Sequence, residues 1–288
     1  MRKVIELLVR VALLAIILAL WWWVTDLPLS TAAEWALVAG ASEGLGAAFG
    51  DELAGRGLNL VLVARRAALL DKAAEQIRAR HGVDVRTIAL DLSQADAVAE
   101  LKARTEGLEI GLLVCNAALA FTGRFLDTDF ATYSRILDLN CRANLGMIHW
   151  LGGMMAARGR GGIIVMSSLA GFQGSPYVAV YGASKAFLIN LSEALWKELG
   201  DRGVDVTVCA APAIRTPGYL ASKKPGTSVP GETEPAVVAR TAVAALGHKP
   251  VAVASALGRF SHFLMGRLMT RKAAVKLMAS NTAGLFEE

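Results

Sequence analysis

LVAGASEGLGAAFG, Leu37 to Gly50, is a glycine-rich stretch that fits two different folds. Gly40-Ala41-Ser42-Glu43-Gly44 matches G-x-S-x-G, the elbow that presents a nucleophilic serine in hydrolases. The overlapping glycines Gly40, Gly44 and Gly46 equally describe a loop that cradles a dinucleotide pyrophosphate. Ser42 is therefore either a nucleophile or a phosphate ligand, and its surroundings decide which.

The elbow needs an earlier strand to supply its oxyanion loop and a later acid and histidine. Here the motif follows the first apolar run of the domain, and the late His248 and His262 have no upstream group to complete a site. The dinucleotide reading needs an apolar strand, a glycine turn and a helix, here from Leu45. Gly40 permits the turn, Gly44 lets backbone approach phosphate, and Gly46 allows close helix packing. The amides of that helix start attract the pyrophosphate, and the Ser42 hydroxyl adds a hydrogen bond. The spacing is G-x-x-x-G-x-G.

Outward from this motif, short apolar runs alternate with helix-like segments. The runs are Trp35–Ala39, Leu58–Ala64, Asp84–Ala89, Ile110–Cys115, Gly162–Met166, Val204–Ala210 and Pro250–Ser255. They are short, and several are rich in β-branched residues, which fits parallel strands covered on both faces. AALLDKAAEQIRAR (67–80) and AFLINLSEALWKEL (186–199) have good helix propensity. The alternation predicts an α/β fold, a doubly wound, Rossmann-like parallel sheet of about seven strands over residues 35–255. Pro212 to Pro235 is the longest loop-like stretch, placed where such folds line a substrate site.

Tyr181-Gly-Ala-Ser-Lys185 is Y-x-x-x-K, and Ser168 in IIVMSSLAG stands thirteen residues before the tyrosine. With the glycine motif, this set closely resembles the short-chain dehydrogenase/reductase family. The resemblance implies an oxidoreductase interconverting a carbonyl and an alcohol, with Asn140, Ser168, Tyr181 and Lys185 as catalytic residues. The chemistry is consistent with those residue types. Tyrosine and lysine four apart share one helix face, and a nearby ammonium with an oxidised nicotinamide favours phenolate. Tyr181 then exchanges a proton with the reacting oxygen, Ser168 hydrogen-bonds the same oxygen, and Lys185 holds the nicotinamide ribose. Family spacing selects Ser168 over the adjacent Ser167. Tyr177 has no lysine four residues later and reads as pocket wall. Asn140 matches an asparagine that binds a relay water in the family; a kink-stabilising side chain is compatible with that role.

The resemblance also implies cofactor contacts at Gly40, Ser42, Gly44, Leu45 and Gly46, and at Asp91, which matches an acid on the adenine amine. Asn116, in C-N-A-A where the family commonly has N-N-A-G, keeps one contact of that motif. Pro212, Ile214 and Thr216 resemble a P-G-x-x-x-T that closes over nicotinamide, with its glycine lost. Ala39 replaces a usual threonine. NAD-specific enzymes place an acid at the end of the second strand. Here Ala64 is followed by Arg65 and Arg66, which suit a 2′-phosphate and point to NADP(H). A solvated helix start is the plainer reading of the two arginines. A non-catalytic NADP-binding module is the rival reading of the whole, and it leaves Ser168 without a purpose.

Composition narrows the remainder. Net charge is +5, from 30 basic and 25 acidic residues, without a run dense enough for nucleic acid. Cys115, Cys141 and Cys209 have no C-x-x-C spacing, and the four histidines are dispersed, so neither a disulfide frame nor a metal site is expected. Residues 4–24 are largely apolar and as a helix would span about 31 Å, near the hydrocarbon thickness. Arg10 can snorkel, and Trp21, Trp22 and Trp23 suit an interface belt. Residues 1–25 therefore read as a single-pass membrane anchor and 26–34 as a linker; a cleavable signal peptide is the competing reading. Arg2, Lys3 and Arg10 precede the span, which places the N-terminus in the cytoplasm, whereas access to NADP(H) favours a cytosolic catalytic face. The side therefore stays open, and a membrane location favours a lipophilic substrate. The C-terminal tail, 256–288, reads as helical. Its charges do not segregate on a helical wheel, so a pocket cap, a contact in a homo-oligomer and membrane-surface binding all fit.

Overall fold

A computed structural model describes residues 34–222 and 231–283. The stretch proposed as an anchor lies outside them, as do residues 26–33 of the linker and the last five residues of the tail. Among the described residues no helix is long and apolar enough to cross a membrane.

Seven strands form one parallel sheet in the order β3-β2-β1-β4-β5-β6-β7. They are β1 (Trp35–Ala39), β2 (Asn59–Ala64), β3 (Val85–Ala89), β4 (Ile110–Cys115), β5 (Gly161–Ser168), β6 (Val204–Ala211) and β7 (Val251–Val253). Each coincides with one of the apolar runs, within a few residues at its ends. β5 runs further than its apolar stretch and ends on Ser168 itself. β7 stops short of Ser255, because the Ser255 hydroxyl accepts from the Gly258 amide at 2.9 Å and starts a helix instead.

The helices are α1 (Gly44–Ala54), α2 (Ala67–His81), α3 (Ala97–Arg104), α4 (Phe130–Leu137), α5 (Asn144–Arg158), α6 (Ala179–Gly200), α7 (Pro217–Ser222), α8 (Pro235–Ala245), α9 (Ala256–Phe263) and α10 (Arg271–Ala283). Side chains alternate across β1. Ala36 and Val38 enter a core with Phe49 and Leu53 of α1, Leu70 and Ile77 of α2, and Val238 of α8. Leu37 and Ala39 enter the opposite core with Leu101 of α3, Met147 and Leu151 of α5, and Leu188 of α6. Both faces of the sheet are therefore dry, which is why its strands read as apolar runs rather than alternating ones.

Two helices are interrupted by wide turns. Asp138–Ala143 is a π-turn between α4 and α5, and Leu264–Leu268 is another after α9. The segment expected as a long loop, Pro212 to Pro235, contains the short helix α7 and a bridge between Ile214 and Thr233. Thr216 starts α7 by accepting the Tyr219 amide at 3.2 Å, order that neither proline nor glycine content foretold.

Candidate active site

Strand order reverses between β1 and β4, so the loops leaving them diverge and open a crevice at the carboxyl edge. A cavity of about 360 Å³ occupies it. Its wall includes Gly40, Ser42, Gly44, Leu45, Gly46, Arg65, Arg66, Asp91, Asn116 and Thr216, ten of the residues singled out for cofactor contact. Tyr181, Lys185, Pro212 and Ile214 are not on this wall, and Ile214 packs against the core.

The glycine motif is shaped by close approach. Gly40 has φ +77, where its amide donates to Val63 at 2.7 Å, and a Cβ there would sit 2.8 Å from the Ala117 Cα. A Cβ on Gly46 would collide with the Gly40 carbonyl oxygen. The turn and the first helix therefore touch backbone to backbone, which leaves the start of α1 open to the cavity.

No histidine contacts Ser42 among the described residues, and the nearest basic group is an arginine. The Ser42 hydroxyl accepts from Arg66 Nη2 at 3.4 Å, and the same nitrogen pairs with Glu43 at 2.6 Å. Arg66 is thus partly engaged, and Arg65 stands on the wall without an ion pair of this kind among the described residues. Burial alone would raise the Asp91 carboxyl. Hydrogen bonds from the Ser93 hydroxyl (2.7 Å) and amide (3.0 Å), with the Arg65 and Arg135 guanidinium groups, hold it below its ordinary value. Asn116 spends its amide on the Ala39 and Gly40 carbonyls, at 3.2 and 3.1 Å, so its side chain braces the glycine turn.

Ser168, Tyr181 and Lys185 meet where β5 ends and α6 begins. The Ser168 hydroxyl lies beside the Tyr181 phenol and favours its ionised form. Ser168 also accepts the Ala170 amide at 3.2 Å. Ser167 instead donates to the Lys185 carbonyl at 2.9 Å, a structural use that leaves Ser168 as the serine of the site. Asn140 is fully buried. Its side chain receives the Leu119 amide at 2.8 Å and donates to the Leu119 carbonyl and to Ser184, at 2.9 and 3.0 Å. Ser184 in turn donates to the Tyr181 carbonyl at 2.7 Å. Asn140 therefore fixes the catalytic helix through Ser184, and its side-chain hydrogen bonds go to Leu119 and Ser184 rather than to Lys185. Asn144 donates to the Asn140 carbonyl at 2.8 Å across the π-turn.

Electrostatics here follow burial. Desolvation pushes the Tyr181 phenol up, and the neighbouring Ser168 hydroxyl opposes it. The expected lowering by Lys185 does not dominate: Nζ donates to the Met166 carbonyl at 2.9 Å and lies 5.7 Å from the Tyr181 ring centre. A protonated phenol is the form required to donate to a carbonyl. Tyr177 takes φ +63, rare for a side chain of its size, and its carbonyl accepts the Gly123 amide at 2.8 Å. That bond ties the loop after β4 to the site's rim.

Burial pulls the Lys185 ammonium from 10.5 down to about 8, while the Cys141 and Cys115 thiols act in the opposite direction. The unfolded chain therefore holds a proton that the folded chain has released between about pH 8 and 10.5, and stability rises with pH across that window. Lys185→Met removes the charge at similar length. Allowing for the lost Met166 hydrogen bond, it should be more stable than wild type at pH 7 by about 1–2 kcal/mol. Denaturant unfolding at pH 7 and 10 checks this, and a gap that does not narrow at high pH contradicts it.

The site also contains groups the sequence did not flag. Glu43 and Ser184 sat inside the quoted motifs, but nothing in their spacing marked a role. Arg135 on α4 and Leu139 on the π-turn reach the cavity only through the fold.

A family model described as short chain dehydrogenase matches residues 34–224. Among curated proteins, the 7beta-hydroxysteroid dehydrogenase of Collinsella aerofaciens is 37% identical over 193 residues, covering 67% of this chain and 73% of that one. A solved 7beta-hydroxysteroid dehydrogenase structure superposes with a TM-score of 0.82 at 30% identity, covering 88% of this chain and 99% of its own. A short-chain dehydrogenase from Sphingobium yanoikuyae in complex with NADPH gives a TM-score of 0.71 at 29% identity, over 81% of this chain and 93% of that one.

Proposed function

The chain belongs to the short-chain dehydrogenase/reductase family, and on that premise we propose that this NADP(H)-dependent oxidoreductase acts on a lipophilic carbonyl or alcohol while held to a membrane by residues 4–24. The observation that carries the chemistry is the meeting of Ser168, at the end of β5, with Tyr181 and Lys185 on α6, the Lys185 Nζ lying 5.7 Å from the Tyr181 ring centre. Bound NADPH supplies the hydride. Arg65, Asp91 and the open start of α1 would hold the adenosine and phosphate portions, and Lys185 would hold the ribose on the nicotinamide side. Ser168 offers its hydroxyl to the substrate oxygen, and Tyr181, kept protonated by burial, delivers the proton that completes the alcohol. In the reverse direction the same phenol accepts that proton.

Three features support a lipophilic substrate. The apolar stretch 4–24 is long enough to enter a bilayer. Phe121 and Phe125 are 43% and 58% exposed on the loop that Gly123 ties to Tyr177, beside the site. The relative of known activity bears the name of a hydroxysteroid dehydrogenase. With the full chain in detergent, a keto-steroid and a long-chain aldehyde should show kcat/KM at least about tenfold above a short polar ketone. Salt washing should leave the full chain on its membranes. Preference for the polar ketone, or release by salt alone, would overturn this reading.

A further inference from the structure

We infer that the α9–π-turn–α10 element is a second membrane contact, which docks on an anionic lipid surface and turns the substrate mouth towards it. The inference deepens the proposed function and rests on it only for the delivery of substrate.

The whole chain's mild charge hides a steep asymmetry. From Pro235 to Phe286 there is no Asp or Glu, against seven Lys and Arg, so the rest of the chain is net negative. The element presents apolar and cationic groups together. Leu257, Phe260, Phe263 and Leu268 are 48%, 62%, 54% and 69% exposed. Leu257, Phe260 and Phe263 are spaced by three along α9 and share one side of it. Arg267, Arg271, Lys272 and Lys276 follow, and among the described residues none of these four meets a carboxylate. Exposed aromatics flanked by unpaired cations suit the boundary between acyl chains and anionic headgroups, where each group finds its preferred surroundings. An acidic protein partner would satisfy the cations but leave the aromatics unburied.

Placement gives the surface a purpose. His262 stacks on Phe172 with ring centres 3.8 Å apart, and Gly258 packs against Leu169, the residue after Ser168. Val275 of α10 lies over Gly174. The element therefore covers the chain between the catalytic serine and α6. Lipid held against it borders the entrance to the site.

Hydrogen exchange on the full chain resolves this element from the N-terminal stretch. With phosphatidylcholine vesicles containing one fifth phosphatidylserine, amides of residues 257–277 should exchange at least tenfold more slowly, and high salt should reverse the effect. Pure phosphatidylcholine should leave them unchanged. The triple variant Arg267→Gln, Arg271→Gln, Lys272→Gln should weaken the docking of this element about a hundredfold and so remove the protection, with NADPH oxidation in detergent intact to show that it folds. Equal slowing on neutral vesicles, or slowing that grows with protein concentration without lipid and so reports a second copy, overturns the inference. Loss of NADPH oxidation in the wild type would instead count against the reductase reading.

Discussion

Replacing Tyr181 by Phe should lower kcat for carbonyl reduction by about 10³-fold or more, with NADPH affinity kept within a few-fold. The ring is half-buried beside Ser168, so the substitution removes one hydroxyl and leaves the ring's packing in place. The cavity wall proposed to hold NADPH lies mainly on the loops after β1, β2, β3 and β4 and does not include Tyr181. Single-turnover rates and fluorescence titration of NADPH separate the two quantities. A variant that still turns over within tenfold of wild type would mean that another group supplies the proton. Ser168→Ala should fall less steeply, since the proton donor remains.

The second large effect concerns the end of β2. Arg65→Ala should weaken NADPH by about 1.5–3 kcal/mol, roughly ten- to 150-fold, and leave NADH nearly unchanged. The geometry assigns this role to Arg65 ahead of Arg66. The Arg66 guanidinium is held by Glu43 and Ser42, and rotating it to a 2′-phosphate would break a 2.6 Å ion pair. Among the described residues Arg65 has no such tie, and it already acts on Asp91 across the cavity. Because both arginines are substantially exposed, solvent screening keeps the effect at the lower end of that range in high salt. Equal losses for NADPH and NADH would show that Arg65 serves the adenine or the phosphates common to both.

These two sites show what was legible in the sequence. The seven strands were readable because a parallel sheet buried on both faces produces short β-branched apolar runs, and each run became a strand. Ser168, Tyr181 and Lys185 were readable because their spacing is set by one strand end and one helix turn. Local spacing does not carry partners from distant segments. Nothing near Arg66 announced Glu43, 23 residues earlier, as its partner. Nor did the sequence show that Asn140 would be spent on Leu119 and Ser184 at the start of a π-turn, or that Lys185 would point to the Met166 carbonyl. Those outcomes depend on which buried carbonyl lacks a donor once the helices are packed, a property of the assembled fold.

The claim on which the account turns is that hydride and proton reach one carbonyl at this site. Incubating the full chain with NADPH deuterated at the nicotinamide C4 and a keto-steroid, then weighing the product alcohol, tests it most directly. Wild type should yield an alcohol carrying one deuterium on the former carbonyl carbon, in step with cofactor oxidised, and Tyr181→Phe should yield almost none. Tight NADPH binding without any deuterated alcohol, across steroid, aldehyde and 3-oxoacyl substrates, would contradict the account and leave a protein that holds the cofactor without using it.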